Sequence, residues 1–346
     1  MKLSECTHRS NNLQLLRFVA AILVILAHSF SISTGESKGE ILLYITHGQL
    51  GMGGLAVSVF FCAGGYLIAR SMCRVSDMKE FFKARIVRLF PSLFVVVFVC
   101  AFIMGPVVSE LSVGEYLKNV QVYKYMLNSV LILQHSLPGV FVGNPYVDTV
   151  NGSLWTLPVE FLCYVGCFIM WKIHLLERKN ILKSIPIVLV GAIGIYYIIN
   201  VMEMFTILEA IRPMLLFYMG ILFYIMRDVI VFSGKYSVFC VFAIAVSVPL
   251  QIFDVVWVIC FPYLLLLICF GIRQIPEKFG KLGDVSYGIY LCAFPIQQWF
   301  VYMNGGYMNP FLNVLLTIPL SVLGGVLLYN FVEKPIIIWS KRGRIK

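Results

Sequence analysis

Apolar segments long enough to cross a membrane recur along this chain from one end to the other. A helix needs about 20 apolar residues to span the hydrocarbon core of a bilayer. Ten segments approach that length, at residues 13–33, 50–71, 86–107, 154–173, 184–201, 210–227, 236–252, 255–272, 283–303 and 310–332. Only 13% of the residues are charged, whereas soluble domains carry about 25%. The pattern excludes a water-soluble enzyme and predicts an all-α polytopic membrane protein with about ten transmembrane helices.

The basic residues predict how these helices are oriented. Lys and Arg accumulate in loops that face the cytoplasm, and the ten-span count places nearly all of them on one side. That side carries Lys2, Arg9, Arg70, Arg74, Lys79, Lys83, Arg85, Lys172, Arg178, Lys179, Lys183, Lys235, Arg273, Lys278, Lys281, Lys334, Lys341, Arg342, Arg344 and Lys346, and the opposite side carries Lys38, Lys118, Lys124 and Arg212. We therefore expect both termini in the cytoplasm. A signal peptide is the alternative for the first segment, but its removal would break this alternation.

The segments predict a single integral-membrane domain over residues 1–346, whose largest outer loop runs from about 108 to 153. Within that loop, residues 126–133 form an apolar stretch that is too short to span and is typical of an interfacial or re-entrant helix. The net charge of +10 follows from the basic loops, so we expect the lipid bilayer and no nucleic acid as a partner. The ten cysteines lack CxxC spacing, and no metal site is expected.

Two ionisable residues lie in the first segment, Arg17 and His28. Ionisable groups inside a membrane are costly, and each is therefore a candidate for function. Their separation of 11 residues, about three helical turns, places them on one helix face about 16 Å apart along the axis. Alternatively, Arg17 could lie near the helix end and extend its long side chain to the membrane surface, which would need no functional role. His28 is harder to explain structurally, because both ring nitrogens need partners when the ring is buried.

Two further arginines begin the third segment, in the run FFKARIVRLFP. Arg85 and Arg88 are three residues apart, so they share a helix face, where paired guanidiniums can bind phosphate oxygens. Alternatively, both arginines could simply hold the helix end at the cytoplasmic surface of the membrane. This explanation fits Arg85 better than Arg88, which lies deeper.

Glu160 is the intramembrane carboxylate that most needs an explanation. It follows Pro158 in NGSLWTLPVEF, near the outer end of the fourth segment. This position predicts a depth close to that of His28. A carboxylate in contact with the histidine would orient the imidazole for base catalysis. Pairing of Glu160 with a cation is the alternative, because sequence indicates depth but not rotation.

Six segments of the chain resemble, in order, the motifs of membrane-bound acyltransferase family 3. They are NNLQLLRFVAAILVILAHS, with its Arg, ten residues and His; GLAVSVFFCAGGYLI; FFKARIVRLFP; LWTLPVE; GDVSYGIYLCAFPI; and VEKP. The matches extend over nearly the whole chain. In one departure, Ala63, Gly64 and Gly65 stand where the family often has Ser-Gly, so no hydroxyl role transfers to that position.

The resemblance implies a ten-helix membrane enzyme of the polysaccharide O-acetyltransferase type, in its stand-alone transmembrane form, in the bacterial inner membrane. Such an enzyme moves an acyl group, usually acetyl, from cytoplasmic acyl-CoA to a hydroxyl of an extracytoplasmic or undecaprenyl-linked glycan, such as O-antigen, capsule or exopolysaccharide. Carried over to this chain, the catalytic residues are His28, Arg17 and Glu160, and the donor-binding residues are Arg85, Arg88 and Arg17. No permanently bound cofactor is implied.

Two chemical routes and two other classes of protein stay open at this stage. His28 acts either as the base that removes the proton of the acceptor hydroxyl or as a covalent carrier of the acyl group. A transporter of a lipid-linked or anionic substrate would use His28 and Glu160 as a proton relay. A non-catalytic membrane scaffold or sensor would need neither residue for turnover.

Overall fold

The computed structural model describes residues 1–5, 12–37, 39–74, 77–201, 205–272 and 283–342. Long helices account for most of these residues: α1 Leu13–Thr34, α2 Met52–Met72, α3 Met78–Val99, α4 Thr156–Lys172, α5 Ser184–Val201, α6 Phe205–Ile225, α7 Gly234–Ser247, α8 Phe253–Leu266, α9 Ser286–Met303 and α10 Pro310–Leu328. Three of them continue through a π-helical turn, at Cys100–Met104, Leu267–Gly271 and Tyr329–Glu333. The short helices are Leu3–Glu5, Ile41–Ile45, Gly105–Val108, Val113–Lys118, Val120–Tyr125, Met126–Val130, Gly152–Trp155, Ile181–Lys183 and Lys334–Arg342.

The predicted fold class is confirmed: the chain is an all-α polytopic membrane protein. Each of the ten predicted segments overlaps one of the long helices, and the described residues contain no strand beyond an isolated bridge between Lys2 and Val231. Within the same residues, six helices are long and apolar enough to cross a membrane, and three shorter apolar helices accompany them. Seven of the basic residues used to predict orientation lie outside the described residues: Arg9, Lys38, Arg273, Lys278, Lys281, Arg344 and Lys346.

Local signals in the sequence set where several helices begin and end. Asp77 caps the start of α3, where its side chain accepts a hydrogen bond from the Lys79 backbone N–H. Asn309 caps α10 in the same way, and Pro310 occupies the first position, where no backbone N–H is needed. At its end, α1 is closed by Gly35, whose φ of 76° is the left-handed conformation that glycine adopts without strain. The α1 helix is therefore continuous from Arg17 to His28.

The closest helix packing joins α2 and α6. A Cβ atom on Gly65 would lie 1.9 Å from the Phe217 carbonyl oxygen, and one on Gly220 would lie 2.1 Å from the Cys62 carbonyl oxygen. Small residues let backbones approach this closely in membranes, where dispersion contacts replace the hydrophobic driving force. Helices α1, α9 and α10 pack against one another beside this pair, with α1 between α2 and α9. The tight α2–α6 contact therefore supports the side of the bundle that carries α1.

The long loop before α4, which the sequence predicts to face outward, packs against the helices of the bundle. The Asn151 side chain donates a hydrogen bond to the Leu291 carbonyl, and the Gln298 side chain donates to the carbonyls of Tyr146 and Thr149, at 2.9, 2.8 and 2.8 Å. Side-chain amides thus satisfy the backbone of a non-helical segment packed within the bundle, as re-entrant segments require. The predicted re-entrant stretch at 126–133 is only partly helical, since the 3-10 helix covers Met126–Val130.

We predict that Gly220→Ala lowers the thermal stability of the detergent-purified protein. The added methyl group would overlap the Cys62 carbonyl, and overpacking of this kind costs about 1–3 kcal/mol. Gly166→Ala is the matched control, because a Cβ on Gly166 meets no atom within 4 Å. Equal melting temperatures for the two variants would contradict the proposed close contact.

Candidate active site

A cavity lined by charged and phenolic groups lies where α1, α2, α3, α4 and α9 meet. Its apolar wall comes mainly from α2, including Phe60, Phe61 and Leu67. Its polar wall comes from the other four helices and consists of Arg17, Arg85, Arg88, Thr156, Glu160, Tyr164, Tyr287 and Tyr290. Four of the five site residues predicted from the sequence therefore line one cavity. We call the part of the bundle around the three arginines the arginine end.

Asp284 brings Arg17 and Arg88 together. It immediately precedes α9, and one of its carboxylate oxygens accepts hydrogen bonds from Arg17 Nη1 of α1 and from Arg88 Nη2 of α3. The other oxygen accepts from the Ser286 hydroxyl at 2.6 Å. Two buried or partly buried cations thereby share one anion, which offsets their mutual repulsion.

Arg85 has a different environment, although it lies on the same helix as Arg88. Its guanidinium carbon is 4.8 Å from the centre of the Phe81 ring, a cation–π contact. Its Nε atom is buried and has no hydrogen-bond acceptor among the described residues. No ion pair involving Arg85 occurs in that part of the chain either. Its charge is therefore not matched by a carboxylate in direct contact.

Glu160 lies with the arginines and not with the histidine. Its carboxylate accepts a hydrogen bond from the Tyr164 hydroxyl, one helical turn further along α4. It is also close enough to interact electrostatically with Arg17, Arg85 and Arg88. No hydrogen bond joins Glu160 to His28, both of which are described, and no direct ion pair joins Glu160 to an arginine in the same part of the chain.

The predicted depth of Glu160 was wrong because the chain before α4 re-enters the bundle. Thr156, the first residue of α4, lies 2.7 Å from the Tyr290 hydroxyl, and Tyr290 is only one turn into α9. Since α9 begins next to Asp284, the start of α4 is displaced towards the arginine end. Hydropathy marks the apolar stretch but not the point in the bundle at which its helix begins.

His28 lies further along α1, on the face that packs against α9. Its imidazole makes an edge-on contact with Phe294, with ring centres 5.1 Å apart. One turn further along α9, the Gln297 side chain donates to the Ile25 carbonyl at 2.8 Å. Arg17 and His28 therefore both face the segment that contains Asp284 and Phe294, as their spacing predicts. The imidazole has no hydrogen-bond partner among the described residues, and His28 is not among the residues that line the cavity.

Glu333 is a second buried carboxylate that the sequence analysis did not select. It is 3% exposed, and one of its carboxylate oxygens accepts a hydrogen bond from the Ser92 hydroxyl of α3 at 2.9 Å. The residue interacts electrostatically with Arg17, Arg88 and Asp284, which joins the end of α10 to the arginine end. The motif VEKP contained this residue, and GDVSYGIYL contained Asp284. Each of these two acidic side chains lies at one end of an apolar segment, and this position could have indicated a role in the site.

These features define a class: a helical membrane protein with a charged internal cavity at one end of a helix and a histidine further along it. The chain matches the acyltransferase 3 family, described as an acyltransferase domain, over residues 10–330, and it belongs to that family. The described residues contain no group of three or more His, Cys, Asp or Glu side chains that could hold a metal ion.

Two curated relatives are similar to the chain. One is an O-acetyl transferase of Shigella phage Sf6, 28% identical over 338 residues that cover 94% of this chain and 96% of the phage protein. The other is nodulation protein 10 of Rhizobium leguminosarum bv. viciae, 27% identical over 249 residues that cover 66% of this chain and 63% of that protein. No solved structure matches the chain.

We expect Ser92→Ala to destabilise the protein, because it removes the hydrogen-bond donor of the buried Glu333 carboxylate. Loss of one hydrogen bond to a charged group costs about 1.5–3 kcal/mol. Thermal unfolding in detergent measures the loss. Ser237→Ala is the control, since that hydroxyl donates only to the carbonyl of Ser233, the residue that caps the start of the same helix. A melting temperature for Ser92→Ala as high as that of the control would show that the Glu333 contact contributes nothing.

Proposed function

We propose that this protein is a membrane O-acyltransferase that moves an acetyl group from cytoplasmic acetyl-CoA to a hydroxyl of an extracytoplasmic or lipid-linked glycan. The observation that carries the proposal is the arrangement along α1, with a cavity lined by guanidiniums at Arg17 and, at His28, an imidazole that no described residue hydrogen-bonds. Family membership and the name of the phage relative support acyl transfer to oxygen.

The donor is an acyl-CoA, because its chemistry matches the arginine end. The nucleotide part of CoA carries several phosphates and is too polar to enter lipid. Guanidiniums bind phosphate oxygens through paired N–H donors, and Arg17, Arg85 and Arg88 all line the cavity. The basic loops favour a cytoplasmic position for this end of the bundle, and acyl-CoA is made in the cytoplasm.

The acyl end of the donor extends from the cavity towards His28. The axial separation of Arg17 and His28 is about 16 Å, which is within reach of the pantetheine arm of CoA. Tyr290 lines the cavity, and Phe294, one turn further along α9, contacts the imidazole. The thioester therefore passes Tyr290 on its way to the histidine.

His28 acts as the general base at the thioester. An imidazole nitrogen accepts the proton of the acceptor hydroxyl while the oxygen attacks the thioester carbonyl carbon. The new C–O bond forms, the C–S bond breaks, and CoA leaves as a thiolate that takes up the proton. Because no described residue hydrogen-bonds the imidazole, a ring nitrogen is available for this proton.

The acceptor reaches His28 from the opposite side of the membrane. We assign it to the glycans that bacteria display there, such as O-antigen, capsule or exopolysaccharide, either free or linked to undecaprenyl. The protein is a multi-pass component of the inner membrane with both termini in the cytoplasm. A proton relay from His28 to Glu160, which a transporter would use, gains no support because the two residues do not hydrogen-bond.

We predict that His28→Ala abolishes acyl transfer without preventing membrane insertion. General-base catalysis contributes about 10²–10⁴ to a rate, so release of CoA from acetyl-CoA should fall by about 100-fold or more. The measurement uses detergent-purified protein with bacterial surface glycan lipid as acceptor, and His135→Ala in the outer loop is the control. A His28→Ala variant that turns over like the wild type would refute the catalytic role.

The base mechanism also predicts that no acetyl group remains on the protein. Wild-type protein mixed with radiolabelled acetyl-CoA in the absence of acceptor should carry no label after rapid quenching and separation. Label that depends on His28 and transfers to added glycan would instead establish the covalent carrier.

A further inference from the structure

The acidic residue at the start of α9 holds three helices at one point. Asp284 accepts hydrogen bonds from Arg17 of α1, from Arg88 of α3 and from Ser286, the first residue of α9. The side chains of Arg17 and Asp284 are only 16% and 20% exposed. A carboxylate that accepts three hydrogen bonds, two of them from cations, has a fixed position and fixes its donors.

The contact with Asp284 makes Arg17 and Arg88 weaker partners for an anionic ligand than a guanidinium without a carboxylate. Each of them already contacts Asp284 through one Nη atom, so part of its positive charge is neutralised before a phosphate binds. The two arginines and Asp284 together carry a net charge of about +1, distributed over three helices. Their arrangement is suited to holding the cavity wall in place.

Arg85 differs from Arg17 and Arg88 in having no carboxylate partner among the described residues. It packs over the Phe81 ring and its Nε is buried without an acceptor among the described residues. It also lies one turn nearer than Arg88 to the start of α3, where a water-soluble nucleotide would arrive. A stacked, desolvated guanidinium with unused N–H groups is well suited to bind a phosphate.

We propose that Asp284 is a positioning residue that holds Arg17 and Arg88 in the cavity wall, and that this leaves Arg85 as the guanidinium that binds the donor's phosphates. The inference rests on the proposed function, because it assigns roles within the acyl-CoA site. It divides the three arginines between two tasks: one recognises the nucleotide part of the donor, and two maintain the cavity through which the acyl end passes.

The test uses two ligands that differ in their phosphates. Calorimetry on the full-length protein in detergent measures the dissociation constants of CoA and of pantetheine, which lacks the nucleotide and its phosphates. The variants are Arg85→Gln, Asp284→Asn and Asp284→Glu, each also assayed for kcat and KM in CoA release. Melting temperatures identify any variant that does not fold.

Two control variants carry the same kinds of substitution at residues outside the cavity. Arg227→Gln removes a guanidinium that also stacks on a ring, with 4.4 Å between Arg227 and the centre of the Tyr224 ring. Asp254→Asn removes the carboxylate of another arginine ion pair, that with Arg212. Neither Arg227 nor Asp254 lines the cavity, and both variants should retain wild-type binding and turnover.

We expect the two kinds of variant to separate binding from turnover. Arg85→Gln should weaken CoA binding about tenfold or more, the effect of losing a charge-assisted hydrogen bond, and leave pantetheine binding unchanged. Asp284→Asn should alter the affinity for CoA by less than about threefold and lower kcat about tenfold or more, because the cavity wall is no longer held. Asp284→Glu keeps the charge and should recover part of kcat.

Three results would overturn the inference, and a fourth would overturn the proposed function on which it rests. Unchanged CoA affinity in Arg85→Gln, or much tighter CoA binding in Asp284→Asn, would make Arg17 and Arg88 the phosphate ligands with which Asp284 competes. A stable Asp284→Asn variant with wild-type kcat would remove the positioning role. Failure of the wild type to bind either CoA or pantetheine would reject the acyl-CoA donor itself, which distinguishes failure of the proposed function from failure of this inference.

Discussion

One carboxylate shared between two arginines organises the functional part of this membrane protein. Unpaired charges within a bilayer are costly, so Arg17 and Arg88 can remain in the bundle only with a counter-charge. Asp284 supplies it and thereby joins α1, α3 and the start of α9. Glu160 on α4 and Glu333 after α10 add two further carboxylates to the same region. The charged side chains of the proposed donor site therefore also connect the helices that surround it.

The continuous α1 helix connects this charged region to His28, the proposed catalytic base. It carries Arg17 near its start and His28 near its end, and its contact face runs along α9 past Asp284 and Phe294. A donor with a polar nucleotide and a long arm matches such an arrangement, because its two ends need different environments. The proposed reaction follows from the separation of phosphate binding, at the arginine end, from proton transfer, at His28 further along α1.

The sequence predicted the helices well because hydropathy reports burial in lipid directly. It also predicted that Arg17 and His28 share a face, since helical periodicity fixes that relation. It misplaced Glu160, because the depth at which α4 begins depends on side-chain amides of Asn151 and Gln298 that bring the preceding loop into the bundle. It overlooked Asp284 because the partners of this residue are hundreds of positions away in the chain, and only the assembled bundle brings them together.

A cryo-electron-microscopy structure with a non-hydrolysable acetyl-CoA analogue tests the central claim most directly. The account predicts density for the nucleotide phosphates beside Arg85 at the arginine end and the acyl carbonyl next to the His28 imidazole. A nucleotide bound at the opposite end of α1, or an acyl group that ends at Glu160 without approaching His28, would contradict it.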